Sequence, residues 1–220
     1  MMSIANNNAA VAHSSAASRV LRQTYLLLSL TLLVSGVAAL ISQALHLPRP
    51  GLIVTLIGFY GIMYAIHKFQ DKTAGILWTF GLAAFMGYCI GPVLDRYQNM
   101  QNGGTLVANA FMLTAFTFCG LSAYVLKTGR DMKFLEGFLM AGFFVLMGAV
   151  ILSLFFPITG LQLAISAGFV LFSSAAILYE TSQIVRGGQT NYVLATVSLF
   201  VSIFNLFTSL LSLLGLGSKD

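Results

Sequence analysis

The stretch Leu161–Ile184, LQLAISAGFVLFSSAAILYETSQI, decides the fold. A bilayer core of about 30 Å is crossed by roughly 20 consecutive apolar residues in a helix, and this run is long enough. Near its end, in Ala175-Ala176-Ile177-Leu178-Tyr179-Glu180-Thr181, stands the single acidic residue placed well inside any apolar run of the chain. A carboxylate at mid-membrane costs roughly 2.5–3.5 kcal/mol on insertion scales, so such residues are rare and tend to serve function. Glu180 lies about four residues before the end of the run, about 6 Å at 1.5 Å per residue, where interfacial water is within reach. It is the candidate proton- or ion-sensing group.

The rest of the chain extends the pattern. Of 220 residues, 58% are hydrophobic and 8% charged, with a mean hydropathy of +0.89. A soluble domain carries about 25% charged residues, so this composition is that of an integral membrane protein. Seven apolar runs are read as helices: Tyr25–Leu47, Gly51–His67, Gly75–Leu94, Leu106–Leu126, Phe134–Phe156, Leu161–Ile184 and Tyr192–Leu216. Turn chemistry separates most of them: Pro48-Arg49-Pro50, Asn102-Gly103-Gly104, Thr128-Gly129-Arg130-Asp131, Pro157 to Gly160 and Gly187-Gly188. The short loops make neighbouring helices antiparallel. The expected organisation is a seven-helix transmembrane domain over residues 19–220, preceded by an Ala/Ser/Asn-rich tail, residues 1–18, expected to be disordered. That tail has no apolar core, so no cleavable signal peptide is expected.

Basic residues set the orientation. Arg19, Arg22, Lys68, Lys72, Lys127, Arg130, Lys133 and Arg186 fall on the side of the N-terminus, against Arg49, Arg96 and Lys219 on the other. The positive-inside rule then places the N-terminus in the cytoplasm and, after seven spans, the C-terminus outside. The net charge of +5 is spread singly over loops and does not point to nucleic acid. Asp71 with Lys72, Asp95 with Arg96, and Arg130 with Asp131 read as loop charges, and Glu136 as a first-turn acid meeting a helix dipole.

Two polar stripes stand out. Ser166, Ser173 and Glu180 recur at seven-residue intervals, close to two helical turns, on one face of the sixth helix. Ser198, Ser202, Asn205, Ser209 and Ser212 fall within an arc of about 80° on the seventh. Neither stripe suits lipid, so the two are expected to face each other or a shared cavity. The candidate polar lining is therefore Ser166, Ser173, Ser198, Ser202 and Asn205 around Glu180. The spacings Gly87-x-x-x-Gly91, and Gly160, Ala164 and Gly168, let helix backbones approach closely, either within the bundle or across a homodimer. Cys89 and Cys119, both in apolar runs, read as small hydrophobes.

Enzymatic signatures are missing. The chain has no GxSxG, HExxH, Walker A, CxxC or dinucleotide fingerprint, and one buried acid without a mid-span His does not make an intramembrane protease. No catalytic residue, metal site or cofactor is expected.

Arg22-Gln-Thr-Tyr25, Gly129-Arg-Asp-Met-Lys-Phe-Leu135, Leu178-Tyr-Glu-Thr-Ser-Gln-Ile184, Leu199-Phe-Val-Ser-Ile-Phe-Asn-Leu-Phe207 and Leu210-Leu-Ser-Leu-Leu-Gly215, in this order and spacing, resemble the Bax-inhibitor/YccA family from about residue 19 onward. Within it, the bacterial inner-membrane YccA branch is the most similar. The resemblance implies a seven-helix fold around a central last helix. It implies a partner in the membrane-anchored AAA protease FtsH, whose action that branch moderates while being degraded slowly itself, and, as a further expectation, the membrane regulators of that protease. Other family members behave as pH-sensitive calcium leaks built on two aspartates. The first matches Glu180 and the second matches Ser202, so this chain lacks the second carboxylate. A lone acid cannot share a proton as a pair does. That departure favours the protease modulator over a calcium or proton leak.

Overall fold

The computed structural model describes residues 2–100, 102–156 and 158–217, without the side chains of residues 2–15 and 159. Among these the chain forms seven α-helices: α1 (Met2–Ala44), α2 (Leu52–Phe69), α3 (Thr73–Gln98), α4 (Gly103–Thr128), α5 (Leu135–Phe155), α6 (Thr159–Val185) and α7 (Tyr192–Gly217). Each has a segment long and apolar enough to cross a membrane, that of α1 being Ala16–Ala44. The helix of α1 continues back to Met2, over the segment read above as a tail. That segment is rich in alanine, the strongest helix former.

The spans follow the apolar runs, and most helices extend a few residues beyond them. Apart from the start of α1, the largest extension is at the end of α3. Asp95 and Arg96, read above as loop charges, lie in the last turns of this helix, which runs to Gln98. Hydropathy falls at the membrane surface, whereas the backbone hydrogen bonds of a helix continue into water, so the polar end of α3 carries no apolar signal.

Helices α1, α2 and α3 with α7 through Phe200 form one compact unit; α4, α5, α6 and α7 from Val201 form a second. In the first unit, α3 lies along α1 because small residues meet there. A Cβ added to Gly87 would collide with the Ser35 carbonyl and with Ala38, and one added to Gly91 with Ser42 and the Ala39 carbonyl. The Gly87-x-x-x-Gly91 face is therefore occupied by α1 of the same chain, which sets aside its reading as a homodimer face. The same contact resolves an awkward proline. Pro92 stands inside α3 and has no N–H to give the carbonyl of Tyr88 four residues back. Ser42 of α1 fills the gap: its Oγ donates to the Tyr88 carbonyl at 3.1 Å.

The start of α7 is anchored in this unit. Asn191 caps the helix, its Oδ1 accepting from the N–H groups of Val193 at 2.9 Å and Leu194 at 3.3 Å. Its Nδ2 donates to Asp71 Oδ1 at 3.0 Å and to the Gln70 carbonyl at 3.3 Å, tying α7 to the α2–α3 turn. One turn further, buried Thr196 donates to the carbonyls of Tyr192 at 2.7 Å and of Thr24 on α1 at 3.3 Å.

In the second unit, α5 packs on α6 where glycines admit large side chains: Gly168 receives Leu146, and Gly142 receives Phe172. Phe111 of α4 stacks on Phe207 of α7, with ring centroids 4.3 Å apart. Of the seven spans α7 is the most buried, at 50% of its apolar window, and α5 the least, at 6%. Exposed apolar side chains on α5, such as Phe138, Met140, Phe144 and Val145, are what a lipid-facing helix presents.

Candidate functional site

The site builds on α6. Ser166 and Ser173 are buried on it, as the seven-residue spacing requires, and Glu180 is half-buried near its Val185 end. The Ser166 Oγ donates to the Ser212 Oγ of α7 at 3.0 Å. The two polar stripes therefore meet, and they do so at a serine pair. The Ser173 hydroxyl, 1% exposed, has no hydrogen-bond partner among the described residues. Ser202 is buried and Asn205 half-buried on α7, in the same unit as all of α6, whereas Ser198 belongs to the first unit. The polar lining read from the sequence is thus divided along α7, and a single stripe from Ser198 to Ser212 is not confined to one unit.

Beside Glu180 on α6, Tyr179 lies within electrostatic reach of both Glu136 and Glu180. The exposed first-turn acid of α5, Glu136, therefore lies within electrostatic reach of the α6 turn that carries Glu180.

Sequence reasoning missed the strongest polar assembly in this unit. Ser182, 2% exposed, holds the α4–α5 loop by its main chain. Its Oγ donates to the Arg130 carbonyl at 3.0 Å and accepts from the Met132 N–H at 3.1 Å. Gly129, at φ +58°, makes the left-handed turn that ends α4. Its carbonyl accepts from Arg186 Nη1 at 3.5 Å, while Arg186 Nη2 pairs with Asp131 Oδ2 at 3.4 Å. Asp131 Oδ1 also accepts from the Lys133 N–H at 3.0 Å, closing a short Asx turn. The available signal was Ser182 itself, a serine two residues after the intramembrane acid, but its partners lie about fifty residues away.

Among the described residues no group of three or more His, Cys, Asp or Glu is placed to hold a metal ion, and Cys89 and Cys119 are free thiols.

Seven apolar helices packed through small residues, with polar groups turned onto one another, define a multi-pass helical membrane protein. Comparison with known proteins is more specific. The chain belongs to the family described as inhibitor of apoptosis-promoting Bax1, whose model matches residues 17–219. Among its relatives, an uncharacterised protein of Pseudomonas aeruginosa is 56% identical over 213 residues, 97% of this chain and 96% of its own. The Escherichia coli K12 protein named modulator of FtsH protease YccA is 50% identical over 202 residues, 92% of each chain. An uncharacterised membrane protein of Vibrio cholerae is 40% identical over 204 residues, again 92% of each. The family is the one that the sequence motifs resemble.

Proposed function

We propose that this chain is an inner-membrane protein that binds the membrane-anchored protease FtsH and slows its action on other membrane proteins, being itself degraded slowly. The observation that carries this reading is 50% identity over 92% of both chains to the relative named as a modulator of that protease. Likeness at this level over nearly the full length of both chains supports a shared role. The role is that of an interaction protein rather than an enzyme. In this reading the N-terminus lies in the cytoplasm and the C-terminus in the periplasm, which the distribution of lysine and arginine supports. Residues 1–18 then offer an ATP-driven protease a segment to grip, and the packed helices behind it resist extraction.

The physical basis for slow degradation is the polar stitching of the helices. Ser42, Thr196, Ser166 and Ser182 each bridge separate elements from buried positions, and pulling one element out breaks these bonds, at Tyr88 leaving a carbonyl with no helical donor. The leak reading would place Ser202 where the second acid of a sensing pair belongs. Ser202 is buried and carries no charge, so the protease reading is preferred. Affinity purification of this chain from membranes containing proteolytically inactive FtsH tests the binding step. Co-purification above that of an unrelated seven-span protein is expected, and its absence would overturn the proposal.

A further inference from the structure

We infer that the α4–α5 loop is a binding site for the phosphate headgroups of anionic phospholipids. The loop is a built surface rather than a slack connection. Ser182 holds its main chain from both sides at residues 130 and 132, and Met132, 5% exposed, is buried beneath it. What the loop and the last turn of α4 turn outward is basic. Lys127, Arg130 and Lys133 are all exposed, and among the described residues none of the three has an ion-pair partner. The one carboxylate within the loop, Asp131, is engaged by Arg186 and by the Lys133 N–H. The next acid, Glu136, is exposed in the first turn of α5 and forms no ion pair with these cations among the described residues.

The position suits a headgroup. The loop joins the ends of two spans, α4 and α5, and so sits at the level where hydrocarbon gives way to phosphate. It is flanked by exposed aromatic rings, Tyr124 at 43% and Phe134 at 74%, and tyrosine is a residue type that anchors at that depth. Tyr124 also meets the loop's central cation, its hydroxyl accepting from Arg130 Nη1 at 3.4 Å. A planar guanidinium held by a ring at the interface, with lysines three residues away on either side, matches a phosphate that approaches from the bilayer. Basic residues scattered at span ends are otherwise explained by topology alone. The fixed geometry here, with the loop's acid already occupied, separates this cluster from the rest. The inference is independent of the proposed partner protease.

The test is native mass spectrometry of the full chain released from nanodiscs of phosphatidylcholine containing a minority of phosphatidylglycerol. Each basic residue near a charged surface is worth about 1 kcal/mol, so the double variant R130Q/K133Q is expected to lower phosphatidylglycerol affinity on the order of thirty-fold. K68Q/K72Q, which removes the same charge at another span end, is expected to leave most of the binding intact. Ser182→Ala, which keeps every charge, is expected to weaken binding several-fold. If R130Q/K133Q fails to fold, K133Q alone stands in, with an expected loss of about five-fold. Equal losses in the two double variants, no preference of the parent chain for phosphatidylglycerol over phosphatidylcholine, or unchanged binding in Ser182→Ala would each overturn the inference. So would displacement of the lipid by an equal concentration of inorganic phosphate, which would identify a small-anion site instead.

Discussion

Replacing Ser42 by alanine should destabilise the chain more when Pro92 is present than when it is replaced. Pro92 deprives the Tyr88 carbonyl of its helical donor, and Ser42 Oγ, 3.1 Å away on α1, replaces it. Ser42 is 1% exposed, so no bulk water stands ready to take over. An orphaned buried carbonyl costs about 1–3 kcal/mol. Side-chain hydrogen bonds measured between membrane helices average about 0.6 and reach about 1.7 kcal/mol. Ser42→Ala should therefore lower the unfolding free energy by about 1–2 kcal/mol. Part of that is lost contact with Gly91, against which Ser42 packs, and that part is the same in any background. Pro92→Ala restores the N–H and with it the helical bond to Tyr88, so in that background the hydrogen-bond part should vanish. The assay is a double-mutant cycle on unfolding free energies from steric trapping in bicelles. A coupling of about 1 kcal/mol is expected. Equal costs of Ser42→Ala in the two backgrounds would refute the reasoning, because the serine would then be only a space-filling residue.

Further outcomes follow from the other polar contacts. Ser182→Ala leaves a buried N–H and a carbonyl of the α4–α5 loop unpaired and should cost about 1–3 kcal/mol, whereas Asp131→Asn breaks only the exposed pair with Arg186 and should cost under about 1 kcal/mol; chemical denaturation of both variants in one detergent ranks them. Asn191→Ala removes the cap of α7 and its link to Asp71, so the first turn of α7 should exchange amide hydrogens faster, with a stability loss of about 1–2 kcal/mol. Deleting residues 1–18 should lengthen the lifetime of this chain in cells that contain FtsH; an unchanged half-life in a pulse-chase would remove that segment from the mechanism.

The spans were legible because one signal, apolar length, dominates in a membrane. All seven helices follow from it, but turn chemistry places the breaks less exactly: Gly103 and Gly104 begin α4, and Gly160 lies in the first turn of α6. Helix ends were less legible, as the polar end of α3 at Asp95 and Arg96 shows: nothing apolar marks a helix that continues into the interface. Periodicity found the stripe on α6 and its meeting with α7, but not the partner of each hydroxyl. Ser166 reaches Ser212, while the hydroxyl of Ser173, on the same face, is buried without a partner among the described residues. The Ser182 clasp was invisible for the same reason. It joins residues about fifty apart through main-chain groups, which every residue carries and no motif advertises. Asn191 was within reach, since an asparagine directly before an apolar run is an N-cap signal.

The most direct test of the central claim is a reconstitution. FtsH is placed in proteoliposomes with ATP and a membrane-protein substrate, and decay of the substrate is followed with increasing amounts of this chain. The account predicts progressively slower substrate decay, with this chain itself lost more slowly than the substrate. A decay rate that stays constant across the titration, with both proteins inserted in the same vesicles, would contradict it.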